Sequence, residues 1–187
     1  MATVYLSLGT NLGNRARNLE CAIACLTDVL EAVVVSPVYE TDPWGLTDQP
    51  VFYNLCLRGE TTLQARALLH LLKGIERALG RADDAGWGPR LIDIDLLFYD
   101  DLVIDEPTLT VPHPRIRGRA FVLIPLLDLV DDLHHPALDR SLRALAAEVD
   151  ATTVRCLKRP LARLSAPCRE RLNSNRHNLP VSPLPQR

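Results

Sequence analysis

The stretch RLIDIDLLFYDD, residues 90–101, decides the fold. It is bounded by Gly88-Pro89 on one side and by an aspartate pair on the other, and its interior is branched and aromatic, which is the pattern of a strand. Strand side chains alternate, so Ile92, Ile94, Leu96 and Phe98 form one row while Leu91, Asp93, Asp95 and Leu97 form the other. The first row calls for helices to bury it. The second sets two carboxylates on an open face beside leucines.

Working outward, TVYLSLG (3–9) reads as a first strand, and GTNLGN (9–14) as a tight turn with Asn11 or Asn14 as helix cap. Ala16, Leu19, Ile23, Leu26 and Leu30 then recur at helical spacing. EAVVVSPVYET (31–41) reads as a second strand, TDPWGLTDQP (41–50) as a loop and VFYNLCLRGET (51–61) as a third strand. With Thr61-Thr62 as cap, Leu68, Leu71, Leu72, Ile75 and Leu79 mark a second helix, closed by Gly80. The order is β-α-β-β-α-β: an α+β, ferredoxin-like sandwich, mostly antiparallel, with both helices on one face and the other left free for a site. PHPRIRGRAFVLIPLLDLV (112–130) and Ser141–Val149 add a loop and short helices as a C-terminal extension. From residue 159 the chain turns proline-rich and basic, so we expect one folded domain over 1–158 and an irregular tail over 159–187.

Composition bounds the function. The chain has 187 residues, enough for one full core, and 47% apolar with 24% charged residues is ordinary globular usage. No apolar run approaches the roughly 18 residues of a membrane span, and no signal peptide opens the sequence, so a cytoplasmic location is the expectation. Five cysteines without CxxC spacing read as free thiols, not as a disulfide framework or zinc site. Residues 1–154 carry 13 basic and 22 acidic side chains, against 8 and 1 in residues 155–187. A body this acidic is ill suited to gripping nucleic acid. Nothing in the sequence speaks to oligomeric state.

Asp93 and Asp95 stand about 6 to 7 Å apart along the strand, a spacing at which flexible side chains can converge on one cation or hold two about 3.5 to 4 Å apart. Such a pair is also found on merely solvated strands, but two like charges beside leucines repel unless a counter-charge or metal neutralises them. Removing either should then leave the metal-free fold intact or slightly firmer. Hard oxygen ligands suit Mg²⁺, which completes its shell with water and substrate phosphate. Phosphate calls for cations, and Arg81 and Arg90 flank the preceding loop while PHPRIRGR (112–119) supplies His113, Arg115, Arg117 and Arg119. No GxxxxGK[ST] occurs, and the glycines of LGTNLG serve the turn better than a phosphate cradle. A second constellation, Trp44, Phe52, Tyr53 and Asn54 with Phe121, offers rings and an amide for a flat heterocycle; Tyr53 fits the core equally well.

Together YLSLGTNLGNR (5–15), SPVYETDPWG (36–45), DQPVFYN (48–54), IERALGR (75–81), WGPRLIDIDLLFY (87–99) and VPHPRIRGRAFVLIPL (111–126) resemble the 6-hydroxymethyl-7,8-dihydropterin pyrophosphokinases of folate biosynthesis. The resemblance implies transfer of the β,γ-diphosphate of ATP to the pterin hydroxymethyl group with release of AMP. It implies two Mg²⁺ ions on Asp93 and Asp95, catalytic roles for Arg81 and Arg90 beside them, and ATP contacts from Glu76, Arg81, Trp87, Arg90, His113 and Arg119. It further implies a pterin site built from Thr41, Asp42, Pro43, Trp44, Phe52, Asn54, Asp93 and Phe121. The chain departs from the family at Gly86, where relatives place a basic residue before WGPR, and at Asp83 and Asp84; Arg115 or Arg117 is the candidate to compensate. The competing class is a ferredoxin-like nucleic-acid-binding module, which would need a basic, aromatic sheet.

Overall fold

The structure, a computed structural model, describes residues 1–81, 88–131 and 133–157. Its first strand, β1 (Ala2–Thr10), sends Val4, Leu6 and Leu8 to one face and Tyr5, Ser7 and Gly9 to the other. Gly13, at φ +60°, turns the chain into α1 (Arg15–Thr27). Of the two candidate caps it is Asn14 that serves, its side chain accepting from Arg17 N at 3.1 Å.

The expected second strand is two strands, β2 (Glu31–Val35) and β3 (Val38–Thr41), which both pair with β4 (Phe52–Thr61). Ser36-Pro37 interrupts them because proline has no N–H for the ladder. Ser36 bridges the break: its N–H donates to Cys56 O at 2.9 Å and its Oγ accepts from Cys56 N at 3.0 Å. Helix α2 (Ala65–Ala78) follows. Its cap position is Gln64, without a side-chain cap bond, while Thr61 Oγ1 accepts from Leu63 N in the turn before it; the Thr-Thr pair is therefore not the cap. Gly80, at φ +96°, ends the helix as expected.

Strand β5 (Asp93–Tyr99) lies antiparallel beside β1. The chain then makes a hairpin, β6 (Ile104–Glu106) and β7 (Leu109–Val111), a 3₁₀ turn over Ile116–Gly118, helix α3 (Ala120–Leu127), a two-residue ladder of β8 (His134–His135) and β9 (Arg140–Ser141), α4 (Leu142–Ala146) and β10 (Val154–Leu157). The main sheet is antiparallel in the order β10-β3-β4-β1-β5, with β2 also on β4. The edge strand β10 had no signal in the sequence reading.

Helices α1 and α2 share one face, where Leu19, Leu26, Leu68 and Leu72 are fully buried against Leu6, Leu55 and Ile94. Each such side chain contributes about 2 kcal/mol by leaving water. The opposite face is not free, as expected, but half covered: α3 and α4 pack Val122, Leu123, Leu126, Leu142 and Leu145 on Tyr5, Cys56, Leu97 and Phe98. The open half is what remains.

Phe98 corrects the simple alternation. Leu6 pairs with Leu96 but Tyr5 pairs with Phe98, so Leu97 is the extra residue of a bulge and both Leu97 and Phe98 join the second core. Tyr99 then returns to the first.

Cys25, Cys56 and Cys156 are free thiols as expected, whereas Cys21 is disulfide-bonded, contrary to the reading of all five as free. No helix among the described residues is long and apolar enough to cross a membrane. The expected boundary at 158/159, the tail and loop residues Asp83, Asp84, Gly86 and Trp87 lie outside the described residues.

Candidate active site

The open half of the sheet is the floor of a cavity of about 230 Å³. Alternation along three central strands supplies that floor: Ser7 and Gly9 from β1, Phe52 and Asn54 from β4, Asp93 and Asp95 from β5. Gly9 is required there, because a Cβ would lie 2.8 Å from Asn54 Oδ1. Asn54 itself is buried and donates from Nδ2 to Thr41 Oγ1 at 2.6 Å, which fixes the amide's orientation. Around it stand Thr41, Asp42, Trp44, Phe52 and Phe121, one end of the cavity.

The other end is ionic. Arg81 Nη1 donates to Asp93 Oδ1, and Arg90 Nη1 donates to Asp93 Oδ2 at 2.7 Å. Arg119 Nη1 donates to Asp95 Oδ2 at 3.1 Å, with His113 Nε2 at 3.7 Å from the same oxygen. The repulsion expected between the two carboxylates is thus answered by counter-charges. Burial pushes the Asp93 carboxyl upward, but Arg81 and Arg90 together outweigh it and hold it below the ordinary value. Burial also lowers the His113 imidazole, against Asp95 and with Arg119 and Arg115, so its neutral form is favoured. The bulge in β5 places that histidine, since His113 N donates to Leu97 O at 2.9 Å.

Arg119 links the two ends. Its guanidinium lies 5.7 Å from the Trp44 ring and 5.5 Å from the Phe121 ring, and its buried Nε has no hydrogen-bond partner among the described residues. Arg90 lies 5.8 Å from the Phe52 ring.

Four of the residues named from the sequence, Glu76, Pro43, Arg117 and Tyr53, fall outside the cavity. Glu76 is only 2% exposed and sits beneath the floor, where Oε1 accepts from Lys73 Nζ at 2.8 Å, Arg81 Nη1 at 2.8 Å and Ile94 N at 2.6 Å. Burial pushes its pKa up despite Lys73, and any effect on a ligand passes through Arg81 and Lys73. Pro43 and Arg117 line a neighbouring groove, leaving Arg115 as the compensating candidate within the cavity. Trp87 is outside the described residues. Tyr53 points to the helical face, its ring under Arg15 Cζ at 3.9 Å.

Sequence reasoning missed Ser7, Gly9, Gln49 and Lys73, all of which line the cavity. The signal for Ser7 and Gly9 was present, because they alternate with the buried Leu6 and Leu8. Lys73 stands one helical turn before Glu76, the position from which it reaches the same oxygen. Asn11, considered only as a cap, instead staples loops: Nδ2 donates to Gln49 Oε1 at 3.0 Å and Pro50 O at 3.1 Å, and Oδ1 accepts from Arg90 N at 2.8 Å.

A second groove, about 250 Å³, opens between α2 and the β6–β7 hairpin. It shares Lys73, Asp95 and His113 with the cavity and is walled by Leu69, Leu96, Leu109, Pro107 and Pro114. Among the described residues no three His, Cys, Asp or Glu side chains cluster to hold a metal. A cation on Asp93 and Asp95 would complete its shell from water and ligand oxygens, the habit of Mg²⁺.

The sequence profile of the 7,8-dihydro-6-hydroxymethylpterin-pyrophosphokinase (HPPK) family matches residues 5–131. The 2-amino-4-hydroxy-6-hydroxymethyldihydropteridine pyrophosphokinase of Aquifex aeolicus is 41% identical over 148 residues, covering 79% of this chain and 92% of that one. The Bacillus subtilis protein of the same name is 38% identical over 156 residues, covering 82% and 89%. In structure the chain is similar to Plasmodium falciparum HPPK-DHPS with pteroate, with a TM-score of 0.66 at 18% identity, covering 79% of this chain but 44% of that chain. That likeness speaks to the fold alone.

Proposed function

This chain belongs to the 7,8-dihydro-6-hydroxymethylpterin-pyrophosphokinase family, and from that membership we propose how its residues move a diphosphate group from ATP to 6-hydroxymethyl-7,8-dihydropterin. The reaction is that of its relatives in folate biosynthesis, and the products are AMP and the pterin diphosphate. The alternative of a nucleic-acid-binding module is not supported: the open face presents two carboxylates, and the relatives are named as enzymes.

One observation carries the assignment of roles: a single cavity joins an ionic floor, Asp93 and Asp95 with Arg81, Arg90 and Arg119, to an amide-and-ring pocket at Asn54, Trp44, Phe52 and Phe121. The pterin lies at the Asn54 end. There an amide already oriented by Thr41 can both donate to and accept from the ring edge, while Phe52 and Phe121 take its faces. Thr41, Asp42 and Trp44 border the same pocket, and Asp93 stands where the hydroxymethyl arm must reach. The adenine fits the apolar groove beside α2, so the triphosphate passes Lys73 and His113 on its way to the arginines. Arg81 and Arg90 act directly on the transferring group and Arg115 and Arg119 guide it, because guanidinium forks match phosphate oxygens and remain charged. Glu76 holds Arg81 and Lys73 in place from below. Two Mg²⁺ ions on Asp93 and Asp95 would neutralise polyphosphate charge and acidify the attacking hydroxyl. Among the described residues no side chain at the site has the placement of a dedicated base, so alignment of the hydroxyl with the β-phosphorus supplies the acceleration, aided by the fixed cations. The activity is assigned to a domain over residues 1–158.

The test is direct: purified protein with ATP, Mg²⁺ and 6-hydroxymethyl-7,8-dihydropterin should release AMP in step with loss of the acceptor. Folded protein that releases none refutes the reading.

A further inference from the structure

Among the described residues the side-chain hydrogen bonds to the paired aspartates come from guanidiniums, which cannot be switched off, and His113 is their titratable neighbour at 3.7 Å from Asp95 Oδ2. Asp93 gives one oxygen to Arg81 and the other to Arg90, and Asp95 accepts from Arg119. A guanidinium stays protonated across the physiological range, so these pairs persist wherever the carboxylates are ionised. Lys73 and Glu76 join the cluster, and with Arg115 and Asp42, which line the same cavity, the described residues hold five cationic side chains against four carboxylates. The floor already carries one positive charge in excess. A divalent cation arriving alone meets carboxylates that are occupied and a surround that repels it. A triphosphate carries about as much negative charge as two divalent cations carry positive, so the two arriving together leave the balance unchanged.

We propose that Arg81, Arg90 and Arg119 are resting counter-ions of the metal-binding carboxylates, and that they exchange partners when nucleotide and metal arrive together, passing from carboxylate to phosphate as the cation takes their place. Free metal is refused and metal-nucleotide admitted. The inference rests on the reading of Asp93 and Asp95 as metal ligands, and it has a consequence opposite to the usual effect of damaging a site: deleting an arginine should improve the grip on bare metal. Arg119 suits the test because its guanidinium lies beside the Trp44 and Phe121 rings, where an apolar replacement is accommodated.

The experiment titrates Mn²⁺, a paramagnetic stand-in for Mg²⁺, into the full chain and follows free ion by electron paramagnetic resonance, with and without a non-hydrolysable α,β-methylene analogue of ATP. Because the analogue chelates Mn²⁺ by itself, uptake with it is read against a protein-free titration, and wild type should take up Mn²⁺ weakly alone and about tenfold or more tightly with the analogue than the analogue does unaided. Arg119→Leu should bind Mn²⁺ alone about tenfold more tightly than wild type, because one like charge near the ion is gone, while its affinity for the analogue falls. Asp95→Asn should bind no Mn²⁺ alone and add nothing to the uptake of the analogue itself. Circular dichroism confirms each fold, and Arg90→Leu replaces Arg119→Leu if the latter does not fold. An arginine variant that is folded yet binds bare Mn²⁺ no better than wild type overturns the exchange. Absence of Mn²⁺ uptake by wild type beyond that of the analogue alone overturns instead the assignment of Asp93 and Asp95 as metal ligands, so the two failures are distinguishable.

Discussion

Replacing Gly9 by alanine tests the acceptor end of the site without touching any residue that would bond to substrate. Gly9 stands between Asn54 on one neighbouring strand and Asp93 on the other. The added Cβ would lie 2.8 Å from Asn54 Oδ1 and 4.0 Å from Phe52 Cδ1, so the amide is the group that must give way. Asn54 is 4% exposed and tied to Thr41 by a 2.6 Å bond, and its retreat either breaks that bond or carries it into the cavity. Overpacking costs about 1 to 3 kcal/mol and a lost hydrogen bond about 1 kcal/mol, and each 1.4 kcal/mol is about a factor of ten. If about half of that falls on acceptor binding, KM for the pterin rises about 5- to 30-fold while KM for ATP stays within about twofold. Steady-state AMP release with each substrate varied in turn separates the two constants, and a thermal melt checks the fold. A pterin KM within about twofold of wild type, in a folded variant, refutes the role given to Asn54.

Three further outcomes are expected. Asp93→Asn should reduce turnover by about a thousandfold or more and, contrary to the expectation from carboxylate repulsion, lower metal-free stability by about 1 to 3 kcal/mol, read from chemical denaturation, because Arg81 and Arg90 lose their shared anion. Lys73→Met should raise KM for ATP about tenfold with the pterin KM unchanged, since its ammonium stands where cavity and groove meet. His135 is buried against Phe98 at 5.5 Å with Nδ1 unpartnered among the described residues, and burial lowers its pKa from the ordinary 6.5. The neutral form is therefore the one the fold prefers: its contribution is complete above pH 6.5 and is lost as the pH falls below that value, and His135→Gln should flatten this part of the stability profile.

What the sequence disclosed about the fold followed periodicity. The two long helices and the four principal strand regions announce themselves through spacing of apolar residues, and Gly80 marked a helix end by its chemistry. Strand β10 stayed hidden because VRCL at a sheet edge has half-exposed side chains and no alternation to read. The covering of the second face by α3 and α4 was hidden for a different reason: α3 is apolar nearly all round, which shows that it is buried but not against what. At the site, charged and aromatic residues were legible because their types are costly in a core. Ser7 and Gly9 could be placed on the site's face by their alternation with Leu6 and Leu8, but what their smallness does there was hidden, because it gains meaning only from what lies opposite, and Lys73 had to be seen beside Glu76.

The extra residue at Leu97 lets one strand be read in two frames. Up to Leu96, odd positions belong to chemistry and even positions to the helical core; after the bulge both Leu97 and Phe98 serve the second core, and the parity is reset. A seven-residue segment thereby answers to three environments in succession, and the phase slip falls where a polar floor must become an apolar wall. Without it the row that carries Asp93 and Asp95 would continue through Leu97 and Tyr99, leaving Phe98 on the helical side and α3 without the ring it packs on. The boundary between reactive surface and hydrophobic support falls where this row changes from carboxylate to leucine, and the one-residue slip in register widens the apolar side by the ring of Phe98.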